Sequence, residues 1–170
     1  HLNKRFHEGP VSFSEDGKYM VYTRNAYDEK ANDGTVNLEL FSTEKIDSAW
    51  VNETELSFNH KEYSCGQPSL SADGKTMYFT ANFPDSYGGT DIYKSVRLSD
   101  NNWSKPENLG STINTEGNEM FPFYHISGLL FFASDGHVGL GGLDLFLSIE
   151  KPTGFDNVLN LGAPLNSTRD

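Results

Sequence analysis

Cysteine is almost missing from this sequence. Cys65 is the single one among 170 residues, which excludes an intrachain disulfide and any multi-cysteine zinc site. Positive charge is scarce as well, with 13 Lys and Arg against 24 Asp and Glu and a formal net charge of −11. A sequence-independent nucleic-acid binder needs a basic face, so no nucleic-acid partner is expected. No window approaches the roughly 18 uninterrupted apolar residues of a membrane span, and the opening His1-Leu2-Asn3-Lys4 carries no apolar run of the signal-peptide kind. Catalytic patterns are missing too. There is no Gly-x-Ser-x-Gly elbow, and His7-Glu8 lacks the second histidine four positions on that a zinc-protease helix requires. Of the scattered histidines, His125 and His137 alone would fall at the two ends of one hairpin, near enough in sequence to be weighed as a metal pair. Asp28, Asn32, Asp33 and Gly34 imitate a calcium loop, but the sixth position is Asp33 where the pattern needs Gly. No cofactor and no metal are expected. Cys65, with no activating neighbour, reads as a small buried packing residue.

What the sequence does contain is an internal repeat. Gly9-Pro-Val-Ser-Phe-Ser-Glu-Asp-Gly-Lys18 aligns without gaps on Gly66-Gln-Pro-Ser-Leu-Ser-Ala-Asp-Gly-Lys75, a shift of 57, and Met120 to Gly128 aligns on Gly66 to Gly74, a shift of 54. Each is followed by an aromatic run, and Gly88-Gly-Thr-Asp-Ile-Tyr93 then matches Gly141-Gly-Leu-Asp-Leu-Phe146, with Thr35-Val-Asn-Leu-Glu-Leu-Phe41 as the degenerate version in the first unit. The units close on Asn108-Leu-Gly-Ser-Thr-Ile-Asn114 and Asn160-Leu-Gly-Ala-Pro-Leu-Asn166. The units therefore run over about 4–59, 60–114 and 115–166, with residues 1–3 as the tail of a preceding unit.

Each unit reads as four short strands. In the second, the first strand ends at Asp73-Gly74, where the acid accepts local N–H groups and glycine supplies a positive φ. The next strand, 76–80, is β-branched and aromatic, the third begins at Asp91, and the fourth runs from Trp103 towards Leu109. A helix over 35–65, which contains neither Gly nor Pro, conflicts with the repeat, because the equivalent region of the second unit holds Pro106. Four strands per unit of about 50 residues is the pattern of a propeller blade. The predicted fold is all-β: three four-stranded blades forming part of a larger ring. Three blades are fewer than the usual four to eight, so further blades of the ring, or an assembly of several chains, are expected to cover the open ends.

The repeat also sorts the candidate residues. Asp16, Gly17, Asp73, Gly74, Gly89, Asp91, Gly128, Gly142 and Asp144 recur from unit to unit, which suits a shared structural task in turns. Phe83, Asp85, Tyr87, Trp103, His137 and Leu140 fall where the repeat is irregular, and loops on a rigid scaffold are where binding residues concentrate. Asn52-Glu-Thr54, Asn102-Trp-Ser104, Asn166-Ser-Thr168 and Asp47-Ser48-Ala49 match short glycosylation patterns and are read as chance matches.

At Pro68-Ser-Leu-Ser-Ala-Asp-Gly-Lys-Thr-Met-Tyr-Phe79, Tyr87-Gly-Gly-Thr-Asp-Ile-Tyr93, the stretch Asn108 to Phe123, and Phe132-Ala-Ser-Asp-Gly-His137 with Gly139-Leu-Gly-Gly-Leu-Asp144, the chain resembles a known family. These are the WD-repeat-like, TolB-type propeller repeats of OmpA-family envelope proteins from Bacteroidetes-type bacteria, PorE-like lipoproteins of the type IX secretion machinery among them. The resemblance implies a six- or seven-bladed ring in the periplasm, associated with the outer membrane, and a non-enzymatic module that binds a protein partner. It carries no catalytic motif. Contact with glycan or peptidoglycan is implied through other domains. The alternatives are a propeller that itself binds glycan or peptidoglycan fragments, using Tyr87, Trp103 and Asn101-Asn102, and the regulatory propeller of a hydrolase.

Overall fold

The computed structural model describes residues 8–99 and 102–168. Leu2-Asn3, His1, His7 and Asn101 lie outside these residues. The described residues form three antiparallel sheets in chain order and contain no helix. The first sheet joins β1 (Glu8–Phe13), β2 (Tyr19–Asn25), β3 (Leu38–Ile46) and β4 (Ala49–Glu55). The second joins β5 (Cys65–Leu70), β6 (Thr76–Ala81), β7 (Asp91–Ser99), β8 (Asn102–Trp103) and β9 (Glu107–Asn108). The third joins β10 (Glu119–His125), β11 (Leu129–Ser134), β12 (Asp144–Lys151), β13 (Gly154–Phe155) and β14 (Leu159–Asn160). The stretch weighed as a helix is thus the β3–β4 hairpin.

One expectation needs correction. The outermost strand of the second blade is not continuous from Trp103 towards Leu109: β8 and β9 pair separately with β7, interrupted at 104–106. Pro106 has no N–H to offer a ladder, and the third blade breaks at the same place between β13 and β14. A buried hydroxyl holds each irregularity. Thr43 Oγ1 donates to the Val51 carbonyl (2.6 Å), Ser95 Oγ to Ser104 (2.7 Å) and Ser148 Oγ to Asp156 (2.6 Å). In the first blade the irregularity is a bulge opposite Thr43, with Asn52 at φ 56°. Bulged or broken outer strands are poor templates for pairing with another chain.

Each blade is pinned internally by one asparagine. Asn59, Asn114 and Asn166 each present a side-chain amide to the backbone of the third strand, pairing with Leu40, Ile92 and Leu145 through both N–H and C=O. In the middle blade β6 is buried on both faces, so its sequence is a nearly continuous apolar run. Met77, Phe79 and Tyr93 turn to the first blade and meet Val21, Leu40 and Leu56, while Tyr78 and Ile92 turn to the third and meet Leu130, Phe132 and Phe146.

Polar links repeat across the two blade interfaces. Ser12 Oγ accepts the Leu70 N–H and Ser69 Oγ accepts the Tyr124 N–H, both at 2.9 Å. Thr23 Oγ1 accepts the Gln67 N–H at 2.9 Å, and Gln67 Oε1 accepts the Phe121 N–H at 2.7 Å. Gln67 and Phe121 sit at corresponding bulges with φ of 53° and 54°, each just before a proline.

Candidate binding surface

The loops between the second and third strands are built around buried acids. Asp91, fully buried at the start of β7, accepts from the Tyr87 N–H (2.7 Å), the Gly88 N–H (3.3 Å) and Asn108 Nδ2 (2.7 Å). Asp144 likewise accepts from the Leu140 and Gly141 N–H groups at the start of β12. The first blade carries Glu39 in this place, half-buried, and burial with the nearby Glu55 carboxylate raises its carboxyl above the ordinary range. Gly89 donates its N–H to the Gly117 carbonyl (2.8 Å), and a Cβ there would strike the Asn118 side chain. Gly142 occupies the corresponding position in the third blade.

From this frame the loop 83–87 projects. Phe83 is half-buried against Phe79, Tyr93 and Tyr63, with ring centroids 6.4, 5.1 and 6.4 Å away. Asp85 is exposed and accepts the Tyr93 hydroxyl at 2.9 Å, while burial raises the Tyr93 phenol to about 12. The Tyr87 side chain is 53% exposed. Phe58, Phe83, Pro84, Asp85, Tyr93, Lys105 and Pro106 enclose a pocket of 380 Å³. A 310 Å³ recess beside it is lined by Asp85, Ser86, Tyr87, Asn108 and Gly110, so Asp85 stands between the two.

The structure gathers Phe83, Asp85 and Tyr87 at one place but distributes the other predicted binding residues. Leu140 is exposed on the neighbouring blade's loop, next to Val138. The segment 115–118 lies between the two loops, bonded to Gly89 on one side and through Asn118 to Asp135 (2.6 Å) on the other. The His137 ring is not presented for contact. Its Nε2 bonds the Ile113 carbonyl at 2.8 Å, and the ring packs against Phe132 and Phe146. Trp103 is a plain correction: it is 3% exposed in the core between the first two blades and donates its Nε1–H to the Tyr19 hydroxyl at 3.1 Å. The reason is register, since pairing of Trp103 with Arg97 turns the indole inward. Sequence reasoning missed Phe58, Lys105 and Pro106 as lining residues of this pocket. The available signal was Pro106, which marks the strand break that opens the pocket.

At the opposite end of the strands lie the tight turns. Asp16 Oδ1 accepts from Ser14 Oγ (2.7 Å) and the Lys18 N–H (3.0 Å), and Asp73 Oδ1 accepts from Ser71 Oγ (2.7 Å) and the Lys75 N–H (3.0 Å). Those bonds lower both carboxyl pKa values. Gly17, Gly74 and Gly128 follow with φ of 64°, 67° and 81°. In the third blade His125 and Ser127 replace the Ser and Asp of the turn and bond each other at 2.7 Å. His125 and His137 therefore occupy opposite ends of β11, about 20 Å apart at the usual strand rise, too far to share a metal. No cluster of three or more metal-ligating side chains occurs among the described residues. Asp33 in the calcium-like loop accepts the Thr35 N–H at 2.8 Å, which is ordinary turn chemistry. Cys65 is buried, its thiol donating to Asn59 Oδ1 (3.1 Å), and burial pushes its pKa up to about 12.

This arrangement is similar to several solved propellers. A TolB-type protein from Agrobacterium tumefaciens superimposes with a TM-score of 0.59 at 25% identity, over 95% of this chain and 50% of its own length. The three sheets are thus TolB-like propeller blades. A puromycin-hydrolysing peptidase from Mycobacterium tuberculosis gives a TM-score of 0.59 at 17% identity, over 96% of this chain and 23% of the peptidase. Prolyl oligopeptidase B from Galerina marginata gives 0.54 at 13%, over 91% of this chain and 21% of that enzyme. The chain spans half of the first protein and under a quarter of the other two, and the likeness to the peptidases is one of fold. No protein-family model matches the chain, and no curated protein matches it.

Proposed function

We propose that this chain is a non-catalytic propeller module that binds a protein partner in a bacterial envelope. The observation that carries the reading is the loop 83–87, whose backbone is fixed by a buried carboxylate and whose side chains frame an apolar pocket with Asp85 at its rim. A fixed apolar pocket beside one placed acceptor suits the anchoring of an apolar side chain flanked by a donor. The buried acids Asp91 and Asp144 are spent on backbone N–H groups, a holding role. The TolB-type likeness supports a periplasmic location. The resemblance of the repeats to OmpA-family envelope proteins supports association with the outer membrane and a place beside the type IX secretion machinery.

The test is affinity capture from an envelope extract with the native chain, a Tyr87→Ser variant and a Leu140→Ser variant. Loss of a partner with Tyr87→Ser is expected, and retention of every partner by both variants overturns this choice of surface. A second reading, glycan binding, rests on the recess where Tyr87, Asp85 and Ser86 meet; thermal shifts with cell-wall fragments, absent in the Tyr87→Ser variant, would favour it. The hydrolase-associated reading rests on the fold of the two peptidases alone.

A further inference from the structure

Twice in this chain an arginine is held in the same way. The Arg24 guanidinium lies 3.6 Å over the Phe41 ring and bonds Glu53 at 3.1 Å. The Arg97 guanidinium lies 3.7 Å over the Tyr19 ring and bonds Glu44 at 3.1 Å. The negative face of an aromatic ring attracts the flat cation, and a carboxylate beside it takes the N–H groups at its edge.

The recess beside the loop 83–87 presents the same two parts, and no basic residue lines it. Asp85 and Tyr87 border it together with Ser86, Asn108 and Gly110. The Tyr87 ring is half-exposed, and its backbone is fixed by the bond from its N–H to Asp91 at 2.7 Å. Asp85 is aimed by the fold: its Oδ1 accepts the hydroxyl of Tyr93, a fully buried residue of the core between the first two blades. Its carboxylate forms no ion pair and its Oδ2 accepts no hydrogen bond among the described residues.

The surrounding charge has the sign that attracts a base. The loops 26–37, 56–64 and 109–118 lie at the same end of the strands. They carry Asp28, Glu29, Asp33, Glu62 and Glu116 against Lys30 and Lys61. A surface field of one sign draws in partners of the other and orients them as they approach. Lys105 borders the apolar pocket and not the recess, so the recess itself stays acidic.

We propose that the recess receives an arginine of the partner protein, stacked on Tyr87 and bonded to Asp85, and that an apolar side chain two positions away on the same extended segment fills the pocket of Phe58, Phe83 and Pro106. Side chains two apart on an extended chain project to the same side, and Asp85, which borders both hollows, then lies between them. The assignment deepens the protein-binding reading of the loop 83–87 and rests on it.

The experiment titrates the full chain with two capped peptides and follows amide NMR shifts. One peptide is Ser-Leu-Ser-Arg-Ser; the other carries citrulline for arginine, which keeps the planar shape and removes the charge. The arginine peptide is expected to shift 83–87 and 108–110 and to bind about fivefold tighter than the citrulline peptide. Asp85→Asn keeps an oxygen for the Tyr93 hydroxyl, so its melting temperature should stay nearly unchanged while the difference between the peptides disappears. Equal binding of the two peptides to the native chain overturns the proposal, as do shifts confined to other parts of the chain, no shifts at all, or a difference that persists in Asp85→Asn. A cell-wall fragment that shifts 83–87 where the arginine peptide does not also overturns it, because the recess is then a glycan site. Partner capture separates this failure from failure of the surface: loss of a partner with Tyr87→Ser while both peptides bind alike keeps the protein-binding surface and removes the arginine from it.

Discussion

Asn114 holds Ile92 with both ends of its amide: Oδ1 accepts the Ile92 N–H at 2.8 Å, and Nδ2 donates to the Ile92 carbonyl at 3.0 Å. Both residues are buried, so the side chain acts as a fragment of a neighbouring strand. Asn114→Ala leaves two buried backbone groups unpaired, at about 1–3 kcal/mol each. Urea unfolding should show a loss of about 2–6 kcal/mol, and a loss below that range would mean that water or a shifted strand replaces the amide.

The turn acids make stability fall in acid. Asp16 and Asp73 carry pKa values lowered by the Ser14 and Ser71 hydroxyls and by the Lys18 and Lys75 N–H groups. A carboxyl whose folded pKa is depressed stabilises the fold above its unfolded pKa of about 3.9, and that stability is lost as pH falls through the folded value. Melting temperatures should fall from about pH 4 downward, and an Asp16→Asn, Asp73→Asn double variant should show a shallower decline. An equally steep decline would place the acid sensitivity elsewhere.

Cys65 should be inert while the chain is folded. Its thiol is buried, and burial pushes its pKa to about 12, whereas an exposed thiol titrates near 8.5. Ellman's reagent at pH 8 should react only as fast as the chain opens and at once in denaturant. Immediate reaction of the native chain would contradict the packing of the interface between the first two blades.

Two loop glycines, Gly17 and Gly88, should respond differently to alanine. A Cβ on Gly88 would be driven into the backbone of Glu116 and Gly117, across the interface with the third blade. A Cβ on Gly17 meets nothing within 4 Å, and only its φ of +64° resists. Gly17→Ala should cost about 1–2 kcal/mol. Gly88→Ala should cost more and accelerate amide exchange at 115–119. The reverse order of melting temperatures would contradict this account.

Trp103 should be shielded from aqueous quenchers. In a Trp50→Phe variant, which leaves Trp103 as the only indole, iodide should quench fluorescence weakly, because that ring is 3% exposed. Strong quenching would return Trp103 to the surface.

The repeat shifts in the sequence were enough to read three blades and their turns, because Ser-x-Asp-Gly and the aromatic second strands are local patterns. The closing asparagines were visible as matching letters, but their partners lie about 20 residues back, so the clamp appears only once the third strand is in place. Trp103 was misread because its neighbours Asn102 and Ser104 are polar, and pairing register decides which way an indole between polar residues points. The pocket residues Phe58 and Lys105 come from different blades, and no single unit of the repeat contains both.

The asparagine clamps also order events in time. Each amide reaches back 19, 22 or 21 residues to its own blade's third strand and no farther. Its contacts are local, and local contacts form early and quickly. The clamp residue comes after every strand of its blade in the chain, so on a ribosome a blade is closed by almost the last residue of its unit to emerge. Each finished blade then offers the next a completed surface to fold against, and chain synthesis itself sets the order of assembly.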